Sequence, residues 1–441
     1  MSDNTSPRSN ARETNPRREF LRNSGVAVAG AAIASNLTQF VTPVHAAGSE
    51  SLKIGLVGCG GRGTGAANQA LRADPNTELI AVADAFQDKA EASLANLKNE
   101  ESIAGRVKVD PDHRFIGLDG YKSVIEMCDV VLLCTPPGFR PLHLAAAVAA
   151  GKHVFTEKPM ATDAPGVRSV MESVRISKEK NLAVLAGFCW RYDYAKRALF
   201  DRVLDGAIGE VRAVYGTYLT GPVKPMPPAA TRPAGITDLQ WMVRHWYNFA
   251  WLSGDGIAEQ ACHTADWLAW ALGDAAPVSC TAVGGRQIPA EGGDIFDHVE
   301  VNYVWGNGAR GFLAQRQIPR CYSENSLYIM GTKGNANLTR GSNITDLYNA
   351  IVWKYEGETP NMYQVEHDEF FASIRAGEYI NNGDRMVNST LMAIMGRDAG
   401  YSGQQLSWED ALNSEEKLVP EFTDGWNSPV TFREVPRPGQ G

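Results

Sequence analysis

A glycine-rich turn between a mostly apolar segment and a helical segment is the feature that most restricts the possible folds of this chain. The apolar segment covers residues 52–57, the turn carries Gly58, Gly60 and Gly63, and a second apolar segment ends in Asp84. Gly58 permits a tight turn, Gly60 lets a pyrophosphate approach the backbone, and Gly63 lets the helix pack closely on the sheet. Asp84 stands where a carboxylate accepts hydrogen bonds from a ribose diol. The pattern predicts a βαβ unit that binds a dinucleotide.

Side chains in and after this turn bear on which dinucleotide is bound. Asp84 repels a 2′-phosphate, so NAD is favoured over NADP. Arg62 lies inside the turn and is a candidate to bind a phosphate, and Gly61 completes the predicted cofactor loop. The alternative is a turn of the same composition in an α/β protein that binds no nucleotide.

Composition excludes several classes of partner and site. The 441 residues carry a net charge of −8 and contain no Lys/Arg run in the body of the chain, which argues against nucleic acid and anionic membranes as partners. Seven cysteines occur without a C-x-x-C pair, so we expect free thiols and no disulfide framework. No cluster of Cys and His with metal-ligand spacing is visible, and no metal is expected.

The first 46 residues differ from the rest of the chain. Arg17 and Arg18 precede a weakly apolar stretch at residues 25–34, and small residues surround a cleavage site before Ala47. These features predict a twin-arginine signal peptide over residues 1–46, and therefore a periplasmic protein. A polar tail that happens to carry two arginines is the alternative. Because this route carries folded proteins to a compartment poor in free nicotinamide, we expect NAD or NADP to be tightly bound.

Two further strand-like segments end in residues suited to a cofactor site. The first ends in Thr135 and Pro136, and the second ends in Glu157 and Lys158. Ligands of open α/β sheets bind at the carboxyl ends of the strands. We therefore expect these four residues to lie beside the glycine turn in a Rossmann domain that covers residues 47–186.

After residue 187 the pattern changes to strand-like segments joined by turns. A Gly-Asn-Gly sequence at residues 306–308 indicates a hairpin. We predict an α/β protein whose second domain, residues 187–441, is α+β with a large, mostly antiparallel, open-faced sheet. Two later helices are expected to pack back on the first domain. The strand-like segments are residues 211–220, 279–287, 298–305, 309–317 and 326–330, and the helical segments are residues 365–376 and 388–402.

Three motifs in a fixed order carry a family resemblance. They are the glycine turn, the sequence Ala-Ala-Gly-Lys-His-Val at 149–154 leading into Glu-Lys-Pro at 157–159, and Gly-Ile-Ala-Glu-Gln-Ala-Cys-His-Thr-Ala-Asp at 256–266. In this order the chain resembles the Gfo/Idh/MocA family of glucose–fructose oxidoreductase, inositol dehydrogenase and their relatives. The resemblance implies a Rossmann domain followed by an open sheet that often makes oligomer contacts, so a homo-oligomer is expected.

The resemblance implies that Lys158 hydrogen-bonds the reacting oxygen beside the nicotinamide and that His263 is the acid/base. Hydride transfer from an alcohol independently needs a base for the hydroxyl proton and a cation for the developing oxyanion, and an imidazole suits the first task. Glu259 replaces an aspartate common in the family. Four residues from His263, it is expected to lie on the same helical face and orient the imidazole. A surface helix pair is the alternative.

Aromatic residues between the two domains suggest a carbohydrate cleft. Trp190, Arg191 and Tyr192 follow a strand end and are candidate substrate contacts, together with His245 and Asp266. A role in the core is the alternative for these aromatic residues, and it is favoured for Trp267 and Trp270.

Three functions remain open at this point. The first is an NAD(P)-dependent oxidoreductase acting on a hydroxyl of a sugar, glycoside or polyol. The second is an NAD-dependent glycoside hydrolase or lyase that acts through a transient keto sugar. The third is a sugar-binding protein without catalysis, against which the presence of both Lys158 and His263 argues.

Overall fold

The computed structural model describes residues 50–288, 291–339 and 341–440. Within these ranges no helix combines the length and the hydropathy that crossing a membrane requires. The same ranges hold no group of three or more His, Cys, Asp or Glu side chains placed to bind a metal ion. The predicted signal peptide, residues 1–46, lies outside the described residues.

The first sheet is parallel and buried on both faces. Its strand order is β3-β2-β1-β4-β5-β6, and the order reverses between β1 and β4. In β4, Val131 and Leu133 enter one apolar cluster whereas Val130 and Leu132 enter another, which is why the strand is a continuous apolar run. The strands are β1 (Leu52–Val57), β2 (Thr77–Asp84), β3 (Arg114–Ile116), β4 (Val130–Leu133), β5 (His153–Thr156) and β6 (Val184–Ala186).

The helices of this part begin and end at residues with recognisable capping chemistry. Asp163 accepts a hydrogen bond from the backbone N–H of Gly166 at 2.8 Å and caps the start of α6. Gly151, with a φ of +71°, ends the turn after α5. The helices are α1 (Gly61–Ala73), α2 (Gln87–Lys98), α3 (Glu101–Ala104), α4 (Gly120–Met127), α5 (Arg140–Ala149) and α6 (Ala164–Glu179).

The second sheet has nine strands in the order β14-β13-β12-β11-β7-β10-β9-β8-β15. Among the described strands of this second sheet only β7 and β10 pair in parallel, so the predicted, mostly antiparallel sheet and the α/β fold class are confirmed. The strands are β7 (Val211–Thr220), β8 (Ser279–Gly285), β9 (His298–Val304), β10 (Arg310–Gln317), β11 (Leu327–Gly331), β12 (Asn335–Leu338), β13 (Ser342–Thr345), β14 (Ile351–Lys354) and β15 (Leu406–Ser407).

Two long helices near the end of the described residues pack against elements of both parts of the chain. Helix α12 packs on α1, and helix α13 packs on α6 and β8. The division at residue 187 stays a prediction; the last strand of the first sheet ends at Ala186. The helices of this part are α7 (Tyr194–Leu204), α8 (Asp238–Arg244), α9 (Ala250–Ser253), α10 (Asp255–Glu259), α11 (Cys262–Ala271), α12 (Met362–Ala376), α13 (Gly383–Ser402) and α14 (Trp408–Asn413).

Candidate active site

The glycine turn has the geometry that its sequence predicts. Gly58 has a φ of +97°, and a Cβ there would lie 2.6 Å from the backbone of Cys134. A Cβ on Gly63 would lie 1.9 Å from the Gly58 carbonyl oxygen, so α1 packs against the turn only without a side chain. At Gly60 and Gly61, by contrast, a Cβ would meet nothing within 4 Å, which leaves the backbone open to a ligand. The turn therefore fits a dinucleotide phosphate approaching the start of α1.

Asp84 lies beside this turn at the end of β2. Its two carboxylate oxygens accept hydrogen bonds from the backbone N–H groups of Cys59, at 2.7 Å, and Phe86, at 2.9 Å. Burial raises the pKa of Asp84, and these two hydrogen bonds oppose the rise. The carboxylate, the turn and the start of α2 line one cavity of about 500 Å³. This cavity runs to Thr135 and Pro136, where β4 ends, and we name it the dinucleotide pocket after the ligand that the glycine turn fits.

Arg62 lines the pocket, but its guanidinium is engaged by protein groups. Its Nε lies 2.7 Å from a carboxylate oxygen of Glu157, its Nη2 donates to Gln69 at 2.6 Å, and its plane lies 4.7 Å over the ring of Tyr363. Arg62 therefore joins the glycine turn to Glu157 rather than being held ready for a phosphate. Glu157 in turn pairs with Arg62 and not with Lys158.

A buried arginine holds together the ends of β4 and β5. Arg140, which is 1% exposed, donates to the carbonyl oxygens of Thr135 and Pro159, the residue after Lys158. Burial lowers the pKa of Arg140 to about 10, so it stays charged at neutral pH. His143 lies 3.1 Å from the Thr135 hydroxyl, and burial lowers its pKa to about 3, with Arg140 adding to the shift. These contacts fix the position of the strand end that carries Lys158.

Lys158 reaches from the first sheet to α10 of the second part of the chain. Its ammonium donates to the backbone carbonyl of Glu259 and lies 3.4 Å from the Glu259 carboxylate. The carboxylate also accepts from the side chain of Gln260 at 2.6 Å, and Gln260 accepts from the Tyr218 hydroxyl at 2.5 Å. Burial is the largest single influence and acts to lower the pKa of Lys158, but Glu259, Cys262, Glu157 and Tyr218 together outweigh it, so the pKa is raised. Lys158 is therefore a permanently charged, oriented ammonium.

The predicted pairing of Glu259 with His263 is wrong. Helix α10 ends at Glu259 and α11 begins at Cys262, so the two side chains do not share one helical face. The Glu259 carboxylate contacts Lys158 instead, while Nδ1 of His263 has no hydrogen-bond partner among the described residues. The break at residues 260–261 separates the two side chains, and their spacing in the sequence did not reveal it.

His263 is a buried, neutral imidazole beside the Lys158 ammonium. The residue is 8% exposed, and its ring lies 4.7 Å from Trp190 and 5.9 Å from Phe188. Burial is the main cause that lowers the pKa of His263 well below its usual value, and the charge of Lys158 adds to it. A neutral imidazole accepts a proton, and an adjacent ammonium stabilises a negative oxygen. The two groups together suit reversible oxidation of a hydroxyl.

The structure separates the five candidate substrate residues. Trp190 is half-buried, stacks on Trp267 at 3.9 Å and borders His263, so it lies at the site. Arg191 and Asp266 form a buried ion pair, with N···O distances of 2.7 and 2.9 Å. They are 4% and 1% exposed, and a structural role replaces the expected substrate contact because each satisfies the other's charge.

The remaining two candidates lie elsewhere. Tyr192 is buried beneath the guanidinium of Arg197, at 4.8 Å from its ring centroid. His245 follows α8 and packs on Trp241 at 4.2 Å, near the rim of the dinucleotide pocket. Trp267 and Trp270 are buried, as the core alternative predicts, and the seven cysteines are free thiols, with Cys321 exposed.

Several pocket residues were not found from the sequence. Phe86 and Phe139 line the dinucleotide pocket and are backed by the C-terminal segment, through Trp426 at 5.6 Å and Phe422 at 5.4 Å between ring centroids. Lys224 lines the same pocket from the irregular segment after β7. No local pattern identifies these residues, because tertiary packing alone brings them to the glycine turn.

Comparison with protein families agrees with this geometry. Residues 52–188 match the model described as "Oxidoreductase family, NAD-binding Rossmann fold" of the Gfo/Idh/MocA group. Residues 197–337 match the model of the "GFO/IDH/MocA C-terminal domain". The two matches follow one another along the chain and cover both sheets.

Individual relatives share these domains. Inositol 2-dehydrogenase of Cereibacter sphaeroides (strain ATCC 17029) is 33% identical over 35% of this chain, an alignment that spans only 41% of that relative. Inositol 2-dehydrogenase of Pseudomonas fluorescens is 27% identical over 74% of this chain and 88% of its own. A levoglucosan dehydrogenase in complex with NADH and levoglucosan has the same fold, with a TM-score of 0.62 and 19% identity over 81% of this chain and 99% of its own. The chain belongs to the Gfo/Idh/MocA oxidoreductase family, and residues 52–188 are its NAD-binding Rossmann domain.

Proposed function

We propose that this protein is an NAD-dependent oxidoreductase that acts on a hydroxyl group of a sugar, glycoside or polyol. One observation carries the proposal: a charged Lys158 ammonium, held by Glu259, lies near enough to a neutral His263 to lower the pKa of that imidazole further. The names of the relatives support the substrate class, since they include inositol and levoglucosan dehydrogenases. NAD is preferred to NADP because Asp84 would repel a 2′-phosphate and Arg62 is engaged by Glu157.

The roles of the residues follow from their charges. When bound, the nicotinamide supplies the hydride acceptor or donor. His263 takes the proton from the substrate hydroxyl during oxidation and returns it during reduction. Lys158 stabilises the negative charge that develops on the substrate oxygen, and Glu259 keeps Lys158 charged and oriented. Trp190 borders this site and offers a ring face for the C–H face of a sugar.

A panel of sugars, glycosides and polyols tests the reaction. The purified protein with bound cofactor is mixed with each compound, and reduced nicotinamide and released sugar are followed together. Stable reduction that is lost in Lys158→Ala and His263→Ala, but kept in the control His113→Ala, supports the proposal. Sugar release without net reduction would identify the hydrolase instead, and an absence of both across the panel would favour the binding protein.

We also propose that the protein is exported to the periplasm with its cofactor tightly bound. Arg17 and Arg18 before the weakly apolar stretch support this route. Replacing both arginines by lysine in the full chain is expected to retain the protein in the cytoplasm, as measured by cell fractionation. Equal periplasmic amounts of the variant and the unmodified chain would contradict the proposal.

We further propose a homo-oligomer that forms through the second sheet. Tyr215 and Tyr328 stack at 6.1 Å on β7 and β11, and the side chain of Met330 beside them is 38% exposed. A second copy of the chain would cover this partly apolar surface. Tyr328→Glu is expected to reduce the mass measured by analytical ultracentrifugation, and a monomeric unmodified protein would refute the proposal.

A further inference from the structure

The dinucleotide pocket contains a cation that has no carboxylate partner among the described residues. Among the described residues, four cationic side chains line the pocket, and three of them lie within 4.0 Å of a carboxylate. Those three are Arg62 with Glu157 at 2.7 Å, Arg244 with Asp88 at 3.1 Å, and Lys89 with Asp88 at 3.9 Å. The fourth is Lys224, and no ion pair or side-chain hydrogen bond of its ammonium occurs within the described part of the chain.

Lys224 enters the pocket from outside the Rossmann domain. It belongs to the proline-rich segment between β7 and α8, and its backbone carbonyl accepts a hydrogen bond from the Asn248 side chain at 3.1 Å. Its ammonium lies 4.8 Å from the ring centroid of Trp246, which lines the same pocket. The backbone is thus anchored and the ammonium lies over an aromatic ring, while the residue is exposed and lines the cavity that Gly60 and Gly61 also line.

A dinucleotide bound in this pocket would bring negative charges that need a positively charged partner. A dinucleotide brings two negative charges on its pyrophosphate, and Asp84 adds a third negative charge nearby. The N–H groups at the start of α1 offset part of this charge. Arg62 is committed to Glu157, so it does not supply the rest. Burial lowers the pKa of Lys224, and the charge of Lys89 adds to this shift, whereas the charge of Glu259 opposes it.

We propose that Lys224 binds the pyrophosphate of the dinucleotide and so retains the cofactor between turnovers. This inference rests on the proposed function, because it takes the dinucleotide as the ligand of the pocket. A lysine ammonium is a mobile point charge that suits phosphate oxygens. Because Lys224 comes from the second part of the chain, the cofactor would be held from both sides of the cleft. Its dissociation would depend on salt, since a charge pair is screened by ions.

Binding of NADH and of ADP to the full-length protein tests this role. After removal of the resident nucleotide, dissociation constants are measured by nicotinamide fluorescence for NADH and by calorimetry for ADP, at low and high salt. The variant Lys224→Met is expected to weaken both ligands by about tenfold, as for loss of one charge-assisted hydrogen bond, and to show a smaller salt dependence. Lys224→Arg should bind within about threefold of the unmodified protein because it keeps the charge.

The controls separate this inference from the proposed function. Lys333→Met removes an exposed lysine from the loop between β11 and β12 and should leave both constants unchanged. If the unmodified protein does not bind NADH, the proposed function is wrong. If it binds NADH and Lys224→Met binds equally well, only the role of Lys224 is wrong. Weakened NADH with unchanged ADP would also overturn it, because both ligands carry the pyrophosphate.

Discussion

Replacing Glu259 by glutamine removes the carboxylate that faces the Lys158 ammonium at 3.4 Å. The backbone carbonyl of residue 259 still accepts a hydrogen bond from Lys158, so the side chain keeps its position while it loses its counter-charge. Two unit charges at this distance interact by about 5 kcal/mol at an effective dielectric constant of about 20. This energy corresponds to about 3 to 4 pKa units for Lys158.

The sign of the effect follows from which form of Lys158 is active. Burial alone lowers the pKa of a lysine, and Glu259 is the largest factor that opposes burial here. In Glu259→Gln the pKa of Lys158 should therefore fall below its value in the unmodified protein, because burial is then opposed by fewer negative charges. Because the ammonium is the active form, the rate should decrease as pH rises through this value. The unmodified enzyme, whose Lys158 pKa is raised, should show no such decrease.

A pH–rate profile checks this expectation. The rate of nicotinamide reduction is measured under substrate saturation from about pH 6 to about pH 10 for the unmodified protein, Glu259→Gln and Glu259→Asp. Glu259→Asp keeps a carboxylate and should keep the alkaline activity, although with altered geometry. Thermal unfolding at each pH shows whether any loss of rate reflects unfolding. Superimposable profiles for Glu259→Gln and the unmodified protein would refute the argument that Glu259 maintains the charge of Lys158.

Three further predictions concern catalysis, stability and cofactor retention. His263→Ala should lower the rate of nicotinamide reduction by about 10² to 10⁴, with cofactor content unchanged, and a full rate would exclude His263 as the base. Arg191→Met should lower the free energy of unfolding by about 3 to 5 kcal/mol because it leaves the Asp266 carboxylate buried without its arginine partner. The control Arg212→Met, at an exposed position, should change the free energy of unfolding by less than about 1 kcal/mol, and denaturant titration measures both. A normal stability of Arg191→Met with a raised KM would instead place Arg191 at the substrate site. Trp426→Ala should accelerate NADH dissociation, measured by stopped-flow fluorescence, because it removes the ring that backs Phe86; an unchanged rate would show that the C-terminal segment does not support the pocket.

Local signals in the sequence predicted the parts of the fold whose chemistry is local. Gly58 and Gly63 need the absence of a side chain, and Asp163 caps the helix that it precedes, so each marks its own conformation. The four residues of β4 are all apolar and all buried, so the composition of this strand by itself indicates that both faces are covered. Lys158 and His263 were identified from motifs, and the structure brings them together.

Contacts between side chains that are distant in the sequence could not be predicted from local patterns. Helical spacing gave Glu259 the wrong partner, because the helix breaks between it and His263 and the Lys158 ammonium attracts its carboxylate. Arg191 looked like a substrate ligand because a polar residue after a strand often is one, yet Asp266 neutralises it. Lys224 lies in a segment without periodicity, and only the three-dimensional arrangement brings it into the pocket that the glycine turn also lines.

The contact between the C-terminal segment and the pocket has a consequence for the order of biosynthesis. The glycine turn is among the first described parts of the chain to leave the ribosome, but Trp426 and Phe422 are among the last, and they back the walls formed by Phe86 and Phe139. The first sheet can assemble while translation continues, but its nucleotide cleft lacks these supporting rings until residues 422–426 have been made and have folded. We therefore expect stable nucleotide capture to follow the synthesis of this segment.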